Sequence, residues 1–273
     1  MTAGTNAPSE KQVDYVHGLR KKLRMTMPTL EGHCQRKYES PFASLDRAQV
    51  SSLIEEMLGW VDVPANLLRD QGQMDLPDPA IAERKKAEAR ARAIEWAQVM
   101  VADANAVYLD TETCGTGPHS EIVDIAIVGS DGIVLLDELV KPTGLIPADA
   151  IAIHGITNEM VADAPQWEQL YERVASLLTG RRTIVYNAGY DGQIINNSCA
   201  RANLDVIKTQ WQCAMLSYSD FDGTPSTRGD GMKWHKLDAA AARFNIPPGG
   251  HRALADTQTA RLVVAAMAAE GVN

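Results

Sequence analysis

Two acidic residues follow a short apolar run near the middle of the chain. Residues 106–109 are Ala-Val-Tyr-Leu, which predicts a buried strand, and Asp110 and Glu112 stand at its carboxyl end. Positions i and i+2 of a strand point to one face, so the two carboxylates should project side by side. They repel each other, and burial strengthens the repulsion, so a positive group is expected between them. The alternative is that one of the acids faces solvent.

Asp191 and Asp256 also occupy positions next to predicted buried structure. Asp256 precedes Ala260 by four residues on the apolar stripe of the last predicted helix, and Asp191 follows the predicted strand 183–186. A buried aspartate is costly unless it meets a cation or a metal ion. The alternatives are a first-turn acid favoured by the helix dipole for Asp256, and a helix cap for Asp191.

These acids lie where strands give way to helices, which is where α/β folds collect their active groups. Carboxylates that converge without matching lysines form the oxygen-rich site that Mg²⁺ and Mn²⁺ prefer, and such ions also bind phosphates. His251 follows two prolines and two glycines, so it should approach from a loop. Histidine side chains titrate near neutral pH, which suits a general base for water. The alternative is an ordinary surface histidine.

The N-terminal third of the chain predicts helices outside this site. Ser9 and Asp46 begin capping boxes that precede apolar helical stripes, so residues 1–60 are predicted to form a small module of two helices. Residues 25–43 between those helices are predicted to be irregular. Residues 61–103 are predicted to be a linker followed by a polar connecting helix, which docks by its C-terminal end.

Residues 104–273 change in pattern and form the predicted catalytic domain. Residues 121–128 and 133–140 are β-rich runs joined by a Ser-Asp-Gly turn, which indicates a hairpin. Three early strands followed by alternating helices and strands predict a mixed α/β domain. Helices are predicted over 165–180, 236–244 and 255–269.

Residues 105–270 contain three ordered motifs. They are Asp110-Thr111-Glu112-Thr113, Asn187-Ala188-Gly189-Tyr190-Asp191 and His251-Arg252-Ala253-Leu254-Ala255-Asp256. These motifs resemble those of the DEDDh 3′–5′ exonucleases, the group that includes ribonuclease T and the epsilon subunit of DNA polymerase III. A fourth stretch, His154-Gly155-Ile156-Thr157, is similar to the family's sequence between its first two motifs.

The resemblance implies a ribonuclease H-like mixed sheet flanked by helices and a two-metal hydrolysis of phosphodiester bonds. It implies that Asp110 bridges two Mg²⁺ or Mn²⁺ ions, that Glu112 and Asp256 complete one site, that Asp191 holds the other, and that His251 deprotonates water. The substrate would be a 3′ end, with nucleoside 5′-monophosphates as products. The substrate-binding residues implied are Thr111, Thr113, Asn187, Tyr190 and His154.

The sequence departs from the family pattern at two places. Family members often have a bulky apolar residue shortly after the first motif, whereas Cys114-Gly115 is followed here by Thr116-Gly117-Pro118. Tyr190 stands where phenylalanine is common. The family's four acids and histidine are all present.

The composition sets the remaining expectations. The 273 residues have 26 basic and 35 acidic side chains, a net charge of −9, which argues against a protein that merely coats nucleic acid. No apolar stretch is long enough to predict a membrane span, and the first residues do not predict a secretory signal. Four widely spaced cysteines without a C-x-x-C pair favour a reducing cytoplasm.

The charge is uneven along the chain, since residues 1–40 have a net charge of +3 and residues 101–273 of −9. The basic side chains of the first module either contact nucleic acid or form a solvated face. Residues 1–100 could also bind a polymerase or a repair partner. The rival hypothesis is a non-catalytic or weakly catalytic docking protein of such a complex, and the sequence leaves DNA and RNA substrates equally open.

Overall fold

The computed structural model describes residues 6–23, 25–61, 79–117, 120–226 and 231–271. The chain divides into two compact units, one of residues 1–87 with 227–231 and the other of residues 88–226 with 232–273. The linker predicted over 61–77 falls, apart from residue 61, outside the described residues. The described part of the chain contains no helix that is both long and apolar enough to cross a membrane.

The N-terminal unit contains the helices α1 (Glu10–Lys22), α2 (Met27–Tyr38) and α3 (Arg47–Trp60), with a short 3₁₀ turn at Phe42–Ser44. The predicted capping boxes at Ser9 and Asp46 are both present. The prediction of irregular structure over 25–43 is wrong, because α2 fills most of that stretch. Its Pro28 lies in the first helical turn, where a missing amide hydrogen costs nothing, and Thr26 accepts a hydrogen bond from the Thr29 amide.

A single apolar core holds these helices together. The fully buried side chains include Val16 of α1, Leu30 of α2, and Leu53 and Met57 of α3. Burial of side chains of this size contributes about 1.5–3 kcal/mol each. The unit therefore has a core of its own.

Helix α4 (Pro79–Ala102) enters the second unit. Its docked face is an alanine-rich stripe of Ala89, Ala93 and Ala97 that ends at Met100, which confirms that the C-terminal part packs on the domain. Val101, an apolar residue in the last turn of this helix, is 41% exposed. Val101 follows Ala97 by four residues and lies to one side of the buried stripe. Met100, three residues after Ala97, continues the stripe instead.

The second unit is built on a five-stranded mixed sheet with the order β3-β2-β1-β4-β5. The strands β1, β2 and β3 form an antiparallel meander, and β4 and β5 add in parallel beside β1. Strand β5 was not predicted. The strands are β1 (Val107–Thr113), β2 (Ile122–Gly129), β3 (Val134–Leu139), β4 (Arg182–Val185) and β5 (Gln210–Cys213).

Helices cover both faces of the sheet and form two separate cores. One core packs α6 and α7 against one face, and the other packs α4, α8, α9 and α10 against the opposite face. The short α5 lies over a third, smaller cluster beside β2. The helices are α5 (Ala148–His154), α6 (Trp167–Leu178), α7 (Ala188–Arg201), α8 (Ala214–Asp222), α9 (Leu237–Arg243) and α10 (Ala253–Ala269). The predicted ribonuclease H-like mixed sheet flanked by helices is confirmed.

Candidate active site

The site begins at the carboxyl end of the central strand β1. Side chains alternate across a strand, and the acids Asp110 and Glu112 point to one face while Thr111 and Thr113 point to the other. Both acids are half-buried and both threonines are buried. The two carboxylates therefore project side by side, as predicted. They lie on the central strand of a sheet whose faces are covered by helices.

Asp191 reaches the same place from the opposite face of the sheet. It lies in the first turn of α7, whose N-cap is Asn187, so Asp191 is not the cap. Its side chain is buried, and the hydroxyl of Thr111 donates a hydrogen bond of 2.9 Å to its Oδ1. Burial raises the pKa of Asp191 to about 7, which the Thr111 hydrogen bond partly offsets.

Asp256 and His251 come from the start of α10 and the loop before it. Asp256 lies in the first helical turn and is buried, so it stands both at the helix N-terminus and on the buried stripe. Gly250 and His251 adopt left-handed backbone conformations, with φ of 76° and 58°. Gly249 leaves no space for a Cβ, which would lie 2.6 Å from the Asp256 backbone nitrogen. The loop thus folds tightly over Asp256 and brings the histidine toward it.

Three of these side chains form a compact group of metal-ligating atoms. One ligand atom from each of Glu112, His251 and Asp256 lies within 4.8 Å of the others. His251 is exposed, whereas Glu112 is half-buried. The group therefore opens to solvent on the side of the histidine.

The electrostatics of the four acids are unfavourable in the absence of a cation. Burial, together with the charges of Asp191, Glu112 and other nearby acids, raises the pKa of Asp110 well above its ordinary value. Burial and the charge of Asp256 raise the pKa of Glu112 to about 8. Burial also raises the pKa of Asp256. A hard divalent cation fits this donor set, since it needs several oxygen ligands and would relieve the repulsion.

Three of the predicted substrate-binding residues line the seam between β1 and α7. The hydroxyls of Thr113 and Tyr190 lie 2.6 Å apart, and both contact the carbonyl oxygen of Gly115. Asn187 is exposed at the N-terminus of α7. Thr113 and Tyr190 thus hold the strand end against the helix, and Asn187 remains accessible to a ligand.

His154 is a further predicted residue that is buried. It lies at the C-terminus of α5, and Gly155 ends that helix with a left-handed φ of 71°. Its Nδ1 accepts a hydrogen bond of 3.0 Å from the Ile156 amide, which leaves Nε2 to hold the proton of the neutral ring. Burial lowers the pKa of His154, which keeps the ring neutral.

Asp124 was not predicted as a site residue. It stands on β2 directly opposite Glu112 and is only 1% exposed. Its Oδ2 accepts hydrogen bonds from Nε of Arg252, at 2.9 Å, and from the amide of Ala253, at 3.3 Å. It therefore anchors the start of α10 between His251 and Asp256. An aspartate inside an otherwise apolar strand was the signal that could have identified it.

Comparisons with known proteins agree with this geometry. An exonuclease family model (RNase_T) matches residues 107–264. The chain is 41% identical over 173 residues to the uncharacterized exonuclease CP81 of Escherichia phage 186, covering 60% of this chain and 89% of that protein. It is 27% identical over 179 residues to the DNA polymerase III epsilon subunit of Escherichia coli K12, covering 59% and 70%.

A solved structure shares the fold. The nuclease domain of 3′hExo, a DEDDh family member bound to rAMP, aligns with a TM-score of 0.51 and 19% identity over 61% of this chain and 92% of that one. The region that the family model matches contains all five strands and the residues Asp110, Glu112, Asp191, His251 and Asp256. Residues 1–106 precede it.

Proposed function

This chain belongs to the exonuclease family whose model matches residues 107–264, and from this premise we propose that it is a metal-dependent 3′–5′ exonuclease. It hydrolyses phosphodiester bonds stepwise from the 3′ end of single-stranded DNA or RNA and releases nucleoside 5′-monophosphates. The observation that carries the proposal is the convergence of Asp110, Glu112, Asp191 and Asp256 on one end of the sheet, with the pKa of each carboxyl raised.

The acids are assigned to two Mg²⁺ or Mn²⁺ ions. Asp110 lies centrally, since its pKa is raised by Asp191, Glu112 and Asp256 alike, so it is the acid best suited to contact both ions. Glu112 and Asp256 would hold one ion and Asp191 the other. Bound ions of this kind stabilise the attacking and leaving oxygens of an in-line displacement.

His251 is assigned as the general base. It adjoins Glu112 and Asp256 but remains exposed, so its imidazole can reach a water molecule and pass the proton to solvent. Gly249 allows this approach because its missing side chain leaves room for Asp256. Thr111 fixes the carboxylate of Asp191 by its hydrogen bond.

The remaining predicted residues are assigned to substrate placement. Asn187 offers an exposed amide beside the acids. Thr113 and Tyr190 form the seam along which the 3′ end of the nucleic acid would lie. His154 would act from beneath this seam, because it is buried.

The proposal is tested with purified protein and 5′-labelled single-stranded DNA, single-stranded RNA and duplex, in Mg²⁺ or Mn²⁺, with products separated at nucleotide resolution. A ladder shortened from the 3′ end is expected. Asp110→Asn should lose at least about 10²–10³-fold in rate. Asp205→Asn, which changes an exposed acid, is the matched control. Internal cleavage, or full activity of Asp110→Asn, would refute the proposal.

A role beside a polymerase or in DNA repair is the second proposal, and it concerns residues 1–100. The N-terminal unit has its own core and lies outside the matched family region. A relative is a subunit of DNA polymerase III, so a proofreading partnership is a reasonable hypothesis. Deleting residues 1–77 tests it: kcat on a free strand should persist while affinity for the partner or strand is lost. The complete acid set argues against a purely non-catalytic docking protein.

Free thiols support a reducing location such as the cytoplasm. All four cysteines are unpaired, and Cys34 and Cys199 are buried. Measurement of the free thiol content of protein isolated from cells would test this placement.

A further inference from the structure

Trp234 is an aromatic side chain that the second unit leaves on its surface. It lies in the segment between α8 and α9 and is 67% exposed. A tryptophan ring gains a large free energy from burial or stacking, and Trp234 shares its surface with a second exposed apolar side chain, Leu216.

The backbone beneath this ring is fixed. The Lys233 amide donates a hydrogen bond of 2.8 Å to the Thr224 carbonyl, and the Tyr186 hydroxyl donates one of 2.9 Å to the His235 carbonyl. The His235 ring packs edge-on against Tyr218, with 5.4 Å between ring centroids. The His235 side chain points inward, whereas the side chain of the neighbouring Trp234 points to solvent. The ring is thus presented by an ordered base.

A shallow cleft of about 320 Å³ adjoins the ring. Leu216, itself exposed, provides an apolar wall, and Asp220 provides a carboxylate on the floor. Lys233 and Lys236 are exposed on either side of Trp234, and neither forms an ion pair with the residues that the structure describes. Lys233 and Lys236 therefore place two positive charges beside the aromatic ring, in a region whose net charge is negative.

The same segment is linked to elements that carry two of the acids. The Tyr186 hydroxyl holds the His235 carbonyl, and Tyr186 follows β4 in the turn that leads to α7 and Asp191. Asp238, four residues after Trp234, lies close enough to Asp256 for its charge to act on that carboxyl. The segment of Trp234 therefore lies near the elements that carry Asp191 and Asp256.

We propose that Trp234 is a stacking platform for a nucleobase of the substrate strand upstream of its 3′-terminal nucleotide, with Lys233 and Lys236 against the neighbouring phosphates. This inference rests on the proposed function, since it requires a nucleic-acid strand at the acid cluster. Every nucleobase has a π-face, so the site would tolerate any sequence. The two lysines would also give this acidic domain a local site that attracts the negatively charged strand.

The test is the Kd of a 5′-fluorescein-labelled single strand, measured by anisotropy in EDTA so that cleavage does not interfere. Trp234→Ala should weaken binding by about 5- to 100-fold, and Trp234→Phe should recover most of the loss. Ile133→Ala is the matched control, because Ile133 is 61% exposed at the β2–β3 turn, away from the carboxyl end of β1. Replacing both lysines by glutamine should lower the salt dependence of log Kd by about 0.7 per phosphate contact.

An unchanged Kd for Trp234→Ala overturns the inference, as does an equal loss in Ile133→Ala. An unchanged Kd would indicate that Trp234 contacts a protein and not nucleic acid. Because the readout is binding, it separates this inference from the proposed function. If the wild-type protein binds the strand through Trp234 but never shortens it, the exonuclease proposal is refuted and the inference about Trp234 stands.

Discussion

The two units treat acidic side chains in opposite ways. In the N-terminal unit, Glu56 is flanked by the Nε2 of His33 at 3.2 Å and by the Nζ of Lys37 at 2.6 Å, so its charge is balanced locally. In the second unit, burial and the charges of Asp191, Glu112 and Asp256 raise the pKa of Asp110. The first arrangement serves the fold. The second arrangement has an unfavourable electrostatic energy that a bound cation would relieve. This need for a cation distinguishes a binding site from a structural ion pair.

Asp124 shows that the second unit can also balance a buried acid. It lies opposite Glu112, yet it is held by Arg252 and by the Ala253 amide. Two neighbouring carboxylates on paired strands thus have different environments: the Oδ2 of Asp124 has a cationic partner, whereas Glu112 lies beside other acids. The following predictions test this contrast.

The largest effect is expected from His251→Ala. Loss of the general base should lower kcat by roughly 10²–10⁴-fold, because the attacking water keeps its proton. Mn²⁺ affinity should change little, since the acids remain. Steady-state kinetics and a metal titration measure the two quantities, with His17→Ala in the N-terminal unit as control. A parallel loss of metal affinity would show that His251 is a ligand instead.

Asp124→Asn should lower kcat by about 10- to 100-fold, the range expected for a residue that orients a metal-site ligand. The neutral amide weakens the hold on Arg252, which loosens the start of α10 and misplaces His251 and Asp256. Asp137→Asn, an exposed acid on the adjacent β3, is the control. A melting temperature that falls with no change in kcat would mean that Asp124 serves stability alone.

The metal-free protein should lose stability as pH rises. The pKa of Glu112 is raised to about 8 and that of Asp191 to about 7, so the folded state favours the protonated carboxyls. Their contribution is fully present below about pH 4 and is lost as pH rises through 7 to 8. The melting temperature in EDTA should fall over this range, and Mg²⁺ should reverse the fall. A melting temperature independent of pH in EDTA would contradict the crowding of the acids.

The smallest effect is expected in the N-terminal unit. Glu56→Gln removes a partly exposed, balanced charge, so the free energy of unfolding should fall by no more than about 1 kcal/mol. Activity on a free strand should be unchanged. Urea unfolding of the full chain measures the first quantity and steady-state kinetics the second. A large loss of activity would show that the two units do not divide their roles in this way.

The elements around the acids were predictable because their local signals agree. An apolar run that ends in two acids predicts the end of a buried strand, and the Ser9 and Asp46 capping boxes marked two helices correctly. Helix α2 was missed because Pro28 interrupts the apolar pattern, although a proline in the first turn is compatible with a helix. Strand β5 was missed because Gln210–Cys213, although it alternates polar and apolar residues, is only four residues long.

The partners of the site residues could not be predicted from the sequence. The hydrogen bond from Thr111 to Asp191 and the one from Arg252 to Asp124 join residues 80 and 128 positions apart. Such pairs depend on strand order and on which face each helix covers, and neither follows from local propensity. The left-handed φ of His251 was also not foreseen, because the residue type gives no sign of it.

The most direct test of the central claim is a count of bound Mn²⁺ ions by electron paramagnetic resonance, paired with strand cleavage in the same samples. The wild-type protein should bind two ions and shorten a single strand from its 3′ end. Asp110→Asn should lose both the binding of two ions and cleavage, since this carboxylate is assigned to both. Cleavage that persists in a protein that binds no divalent ion would contradict the account.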